Sequence, residues 1–204
     1  MVIDSRQLSL HPVSAADLDD LVRLDSDPEV MRFVSGGPAT PVATIADWII
    51  PRAVAQQHEY GTGMWIVRRR DDQRFAGWVQ LRTPRHSSAC ELELSYRLGR
   101  NHWGRGYATE ASAALIAAMF TSTPAQRIFA STHIAHTSSR RVMEKLGMRL
   151  AAATRLPDED GDGEPDDVEF ELLREHWLAR RGRHAAAPGR RTHTYRQDGL
   201  TISA

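Results

Sequence analysis

The chain has 204 residues, 41% of them hydrophobic, which is enough apolar material for one ordinary domain with its own core. Formal charge is zero, with 26 basic against 26 acidic side chains, so nothing global points to nucleic acid or an anionic membrane as partner. A single cysteine, Cys90, excludes an internal disulfide and suits a reducing cytoplasm. The longest apolar run, Ala113 to Phe120, falls far short of the roughly 20 residues that a membrane span needs. The opening residues Met1 to Pro12 lack a basic stretch followed by an apolar one, so no secretory leader is expected and the reading is a soluble cytoplasmic protein.

Leu8 and Leu10 alternate with polar neighbours and predict a first strand. Ser14 or Asp17 then caps a helix carrying Leu18, Leu21, Val22 and Leu24 on one face. Asp27-Pro28 breaks it, and Val30, Met31, Phe33 and Val34 make a short apolar segment before Gly36-Gly37-Pro38. A second helix is predicted from about Pro41 to His58, burying Ile45, Trp48, Ile49 and Val54. The period then changes to two. Met64 to Val67 and Phe75 to Leu81 read as strands joined through Arg70-Asp71-Asp72-Gln73 as a hairpin.

Glu91 to Leu98 alternates without a break, with Leu92, Leu94, Tyr96 and Leu98 on one face and Glu91, Glu93, Ser95 and Arg97 on the other. A glycine-containing turn follows, then an alanine-rich helix from about Tyr107 to Phe120. Arg127 to His133 is the next strand, and Ser138 to Leu146 a helix ended by Gly147 as its C-cap. Two strands, about Arg149 to Arg155 and Val168 to Leu173, flank an acidic loop. The fold class is therefore α+β, a mixed and mostly antiparallel sheet interrupted by two late helices. Residues 1–181 are expected to form the domain. Residues 182–204 lack an apolar period and are expected to be a disordered, arginine-rich tail.

The informative segment is the one from Glu93 to Ala111. It reads as a strand, a tight turn and a helix start. The first amides of a helix have no partner within it and together make an anion site. Gly104 and Gly106 remove the Cβ atoms that would keep a diphosphate away. Arg105 adds a positive charge, and the Thr109 hydroxyl adds a donor.

The run Trp103-Gly104-Arg105-Gly106-Tyr107-Ala108-Thr109-Glu110-Ala111 resembles the coenzyme A signature of the GNAT acetyltransferases, in the branch of the ribosomal-protein N-acetyltransferases. Asp27 to Phe33, Glu93 to Tyr96 and Ser139 to Met148 resemble three further motifs of that branch, in the same order. Two positions depart: Asn101 stands where the family has Gln or Arg, and His136 where it has Asn, an imidazole that can still make one hydrogen bond. The resemblance spans about residues 6 to 180.

The resemblance implies a GNAT fold of about seven twisted strands, splayed where about Tyr96–Leu98 faces Phe129–Thr132. Acetyl-CoA is the co-substrate it implies, held by Leu98, Trp103, Gly104, Arg105, Gly106, Tyr107, Ala108, Thr109, His136 and Ser139. An amine attacks the thioester directly, a reaction that gains most from alignment of two bound reactants. A strand N–H near Leu98 would stabilise the oxyanion. Glu93 is the base expected for the amine, against the alternative of a strand carboxylate paired with an arginine. Ser139, or Tyr96 instead, is the expected acid for the thiolate, while helix capping for Ser139 and core packing for Tyr96 stand as alternatives.

Asp158-x-Asp160-x-Asp162-Gly163 with Glu169 satisfies the EF-hand loop pattern. Its flanks read as strands rather than helices, and Pro165 takes a position that is normally apolar, so a solvated loop is the expectation. His133 and His136 lack a carboxylate or cysteine at ligand spacing, so no metal is expected. The five tryptophans, Trp48, Trp65, Trp78, Trp103 and Trp177, read as core or cleft-wall residues. The acceptor would be a peptide N-terminus or a small cationic amine, which the acidic loop and Glu91 and Glu93 would suit. The acceptor site is expected on the loops Gly36 to Pro41 and Asp158 to Asp167. A homodimer is a partner the resemblance allows. A non-catalytic acyl-CoA-binding regulatory module is the alternative function.

Overall fold

The computed structural model describes residues 1–84, 90–154 and 166–185. Two short N-terminal strands, β1 (Ile3–Asp4) and β2 (Leu8–Pro12), lead into a helical segment with α1 (Leu18–Asp25) and the single turn α2 (Pro28–Met31). A longer helix follows in three parts: α3 (Val42–Thr44), a π turn over Ile45–Ile49, and α4 (Ile50–Tyr60). The widened turn has a local cause. Pro51 has no amide to give to the Asp47 carbonyl and its ring crowds that oxygen, so the helix bulges just before it. The expected helical stretch from about Pro41 to His58 is thus present but widened around Trp48, which turns outward instead of into the core, 73% exposed. Phe33 and Val34, read as an apolar segment, are exposed as well.

The hairpin β3 (Gly63–Arg69) and β4 (Phe75–Arg82) turns at the expected Arg70–Gln73. Then come β5 (Glu91–Leu98), α5 (Tyr107–Ser122), β6 (Arg127–His133), α6 (Thr137–Leu146), β7 (Arg149–Thr154), β8 (Asp167–Leu173) and α7 (Arg174–Ala185). The eight strands lie in the order β1-β2-β3-β4-β5-β6-β8-β7, one more than expected because β1 adds a two-residue edge. Every neighbouring pair is antiparallel except β5 with β6. Among the described residues no helix is long and apolar enough to cross a membrane.

The period of two sorts the strands onto two faces. Leu8, Leu10, Trp65, Val79, Leu94 and Ile128 lie under α5 and α6, while Ile66 and Trp78 lie under α1 and α4 with Leu21, Ile45 and Ala53. Fully burying Leu115 or Phe120 on α5 contributes about 1.5–3 kcal/mol each. The expected cap of α6 is present: Gly147 is left-handed at φ 81°, its N–H reaches the Glu144 carbonyl at 2.9 Å, and the Met148 N–H reaches Met143 at 3.1 Å.

Helix α7 continues to Ala185, past the expected start of a tail at Gly182; residues 186–204 lie outside the described residues. The Arg174 guanidinium ties its start to the end of α5, donating to the carbonyls of Phe120, Ala125 and Thr123. Trp177 packs on Phe120, with ring centroids 5.2 Å apart. These partners lie about fifty residues upstream, beyond the reach of a local pattern.

Glu110 on α5 fastens the N-terminal strands. It accepts from the Gln7 amide at 2.6 Å, the Gln7 side chain at 2.7 Å and Ser5 Oγ at 2.8 Å. Burial opposes its charge, but these bonds outweigh burial and hold the carboxyl below its ordinary value of 4.5. A lowered folded pKa stabilises above the unfolded value, and that stability is lost as pH falls through the folded one. Glu110→Gln is therefore expected to flatten the wild type's loss of stability below about pH 4.5, with urea midpoints across pH as the readout.

Candidate active site

β5 pairs with β6 only at Glu91–Arg127, Leu92–Ile128 and Glu93–Phe129. Beyond Glu93, β5 stays with β4 as far as Leu98 and β6 stays with β8 as far as His133, so the two strands diverge into a cleft. The Gly99 N–H bonds to the Ala76 carbonyl on the β4 side. Strand alternation then turns the Leu98 and Tyr96 amides the other way, to the cleft. The expected donor near Leu98 is on that edge.

The turn after β5 begins with a short 3-10 segment, Arg100–His102, and passes through Gly104 at φ 70° and Gly106 at φ 80°. Both angles are left-handed, a conformation that glycine adopts without strain. Nothing in the protein lies within 4 Å of a Cβ built on either, so the backbone borders open space. Gly106 caps α5 without a side-chain bond, which leaves the first amides of the helix, Tyr107, Ala108 and Thr109, directed outward. Arg105 is exposed in the same turn. The turn thus fits a diphosphate on geometry as well as on charge.

Several expected residues do something more specific than line the cleft. The Trp103 indole donates to the Leu98 carbonyl at 2.7 Å, so this side chain locks the turn onto the strand end. Tyr107 buries its ring in the core, tilted against His102, so it is its amide that faces the turn's opening. His136 caps α6 and shares a 3.2 Å hydrogen bond between Nδ1 and Thr132 Oγ1. Its ring also stacks on Phe33, with centroids 4.2 Å apart and 13° between planes. Burial, reinforced by His133, lowers the His136 pKa below its ordinary value. Phe33 thereby joins the N-terminal helical segment to the β6 side of the cleft, a link that no local motif announces.

Tyr96 and Ser139 meet across the fold. The phenol oxygen lies 3.0 Å from Ser139 Oγ and donates to the Ser139 carbonyl at 3.1 Å. Burial pushes the phenol up to about 12, against the opposing effect of the Ser139 hydrogen bond. The phenol is therefore a proton holder at neutral pH. Glu93 stands where the splay opens and pairs with Arg82, with Nη2 to Oε2 at 2.6 Å.

Glu91 faces Arg127 at 2.9 Å, and Glu169 and Glu171 meet the same guanidinium at 2.5 and 2.7 Å. The EF-hand-like pattern therefore contributes its last ligand to a structural ion cluster. The flanks of that pattern are strands, as expected, while Asp158, Asp160, Asp162, Gly163 and Pro165 lie outside the described residues. Among the described residues no three His, Cys, Asp or Glu side chains are grouped to hold a metal.

On the α1 and α4 face of the sheet a cavity of about 360 Å³ adjoins Arg82. Trp78, Gln80 and Met64 form its floor, and Thr40, Ile45, Trp48 and Arg52 its wall. Its wall includes Thr40 from the expected Gly36–Pro41 loop, whereas most of the second expected loop, Asp158 to Asp167, lies outside the described residues. Arg97 closes one side, ion-paired with the buried Asp25 and set over the Trp78 ring at 5.2 Å. Arg52, Arg82 and Arg97 were not singled out by sequence; alternation places Arg97 on this face, but the other two needed the helix and strand brought together.

Comparison with known proteins agrees with this architecture. The model of the acetyltransferase (GNAT) domain matches residues 7–149. An uncharacterized N-acetyltransferase, p20 of Bacillus licheniformis, is 29% identical over 152 residues, covering 74% of this chain and 84% of that protein. The FsC-acetyl coenzyme A-N(2)-transacetylase of Aspergillus fumigatus is 26% identical over 187 residues, covering 86% and 77%. The crystal structure of a GNAT-family acetyltransferase from Bacillus anthracis superposes with a TM-score of 0.71 at 21% identity, covering 86% of this chain and 99% of that one. The splayed sheet, the glycine turn before α5 and the family match over most of the chain lead to one conclusion: this protein belongs to the GNAT acetyltransferase family.

Proposed function

We propose that this protein transfers the acetyl group of acetyl-CoA to a primary amine by direct attack within a ternary complex, in the manner of the ribosomal-protein N-acetyltransferase branch. The observation that carries the reading is the uncapped α5 start behind two left-handed glycines, opening on free space beside the cleft. The amides of Gly106 to Thr109, with Arg105, would hold the diphosphate. The cleft edge at Tyr96 and Leu98 would take the arm between β5 and β6. Acetyl-CoA, when bound, supplies the activated acetyl thioester.

The chain's own residues supply alignment and proton handling. Glu93, at the mouth of the cleft, accepts the amine's proton directly or through water, and Arg82 fixes its carboxylate in place. Tyr96 holds a proton at Oη, shared with Ser139 Oγ, on the side where a sulfur would leave. The Leu98 amide is directed at the developing negative oxygen.

Two measurements test this reading. Calorimetric titration of acetyl-CoA into the wild type tests the donor site, and absence of binding sinks the proposal. Tyr96→Phe, assayed by thiol release, is expected to lower kcat by about 10²-fold with little change in KM for acetyl-CoA. Because the phenol titrates near 12, wild-type activity is expected to show no fall from Tyr96 ionisation between pH 7 and about 10. The Glu93–Arg82 pair favours one rival, a non-catalytic acyl-CoA-binding module whose carboxylate is merely structural. Unchanged turnover in Glu93→Gln would remove the base role, and no turnover with any amine despite tight acetyl-CoA binding would select the rival.

A further inference from the structure

The sequence suggests a cationic acceptor from the acidic loop, Glu91 and Glu93. Most of that loop lies outside the described residues, and both glutamates have arginine partners. Glu91, Glu169 and Glu171 are all engaged by Arg127, and Glu93 by Arg82. The cavity reached by Glu93's partner Arg82 is lined by three arginines, Arg52, Arg82 and Arg97, with Asp25 as its one lining carboxylate. Asp25 neutralises Arg97 and Glu93 neutralises Arg82. Among the described residues no carboxylate forms an ion pair with Arg52, so it remains the cation left over at this cavity.

Apart from Thr40 and Gln80, the remainder of the wall is apolar. Trp78 is the buried floor, Ile45 and Met64 are buried beside it, and the outward-turned Trp48 stands at the rim on the π turn. A spare guanidinium in an apolar cavity selects an anion, since a cation placed there loses hydration and meets repulsion. The elements also order the parts. Arg82 lines the cavity from β4 and holds Glu93 of β5 opposite it, whereas Arg52 lines the cavity from α4.

Resting on the acetyl-transfer reading above, we propose that the acceptor is a small amino acid-like molecule, an amine carrying an acid group and an apolar body, with its amine at Glu93 and its anion at Arg52. The reaction is acetylation of the neutral amine: the N–C bond forms, the C–S bond breaks, and the amine's proton leaves through Glu93 while the sulfur takes up one from the Tyr96–Ser139 pair. A peptide N-terminus, which has an amide where the free acid has a charge, and a polyamine, which has a second cation, both leave Arg52 uncompensated.

The test uses matched probes. Valine, leucine, methionine and phenylalanine are assayed beside their own carboxamides, with spermidine and O-phosphoethanolamine as further arms, and acetyl-CoA binding is measured separately by calorimetry. For the acid that reacts best, kcat/KM is expected to exceed that of its carboxamide by about tenfold or more, the scale of one charge-assisted hydrogen bond. Arg52→Gln is expected to collapse that ratio towards one through KM, and Arg52→Lys to restore part of it. A preference for O-phosphoethanolamine over the amino acids supports the anion at Arg52 and names phosphate as its source. Better turnover of the carboxamides or of spermidine overturns the proposal, as does an acid-to-amide ratio unaffected in Arg52→Gln. Acetyl-CoA that binds while no probe reacts overturns this inference alone; acetyl-CoA that fails to bind overturns the donor reading, and this one with it.

Discussion

Gly104→Glu is expected to abolish measurable acetyl-CoA binding, a loss of at least about 10²-fold, while leaving the fold intact. Two effects act together. At φ 70° a residue with a Cβ is strained by about 1–2 kcal/mol. More important, nothing in the protein crowds that position, so the new carboxylate projects into the space that the α5 amides face and repels the phosphates they would hold. Calorimetry reads the binding and a thermal melt reads the fold. Gly104→Ala separates the two effects, because it keeps the strain and omits the charge. A Gly104→Glu variant that binds acetyl-CoA as tightly as the wild type would remove the diphosphate from this turn.

The largest expected effect on stability lies at another glycine, one that the sequence pattern passes over inside a strand. Gly77 on β4 pairs with Leu98, next to the bulge where the β3–β4 register shifts between Val67 and Arg68. A Cβ there would come within 2.7 Å of the Leu98 Cα and closer still to the Arg97 carbonyl, both backbone atoms that cannot swing aside. Its φ of 148° adds strain for any L side chain. Gly77→Ala is expected to destabilise the protein by about 2–5 kcal/mol, the sum of overpacking and backbone strain. A urea denaturation midpoint measures this. Because Leu98 also leads into the glycine turn proposed to hold the diphosphate, any surviving native fraction is expected to bind acetyl-CoA less tightly. An alanine variant with wild-type stability would show that β4 and β5 can part without loss.

These two glycines differ in how they could be found. Gly104 is legible because its setting is local: a glycine turn between an alternating strand and a long alanine-rich helix is a property of consecutive residues. Gly77 is not, because its requirement comes from the partner strand. The same distinction runs through the site. Tyr96 and Ser139 were each singled out from motifs, but only the packing of α6 against β5 brings their oxygens within 3.0 Å. Glu93 was proposed as a base or as half of an ion pair, and the register of β4 on β5 supplied Arg82 as its partner. His136 was a departure from a motif until Phe33, about a hundred residues away, was found stacked on it.

The sequence by itself determined the strand order from β2 to β8 and the longer helices between them, the glycine turn, the Gly147 cap and the family. Hydrophobic period, left-handed φ and unpartnered helix amides are properties of a few consecutive residues, so they survive being read without a structure. Tertiary structure decided the cleft, the Tyr96–Ser139 pair and the arginine lining of the cavity on the α1 and α4 face. Glu91 and Glu93, which suggest a cationic acceptor when read along the chain, are matched to Arg127 and Arg82 in space, and among the described residues no carboxylate pairs with Arg52. Charge at a site is a sum over neighbours, and neighbours across a sheet are set by register and packing rather than by order in the chain.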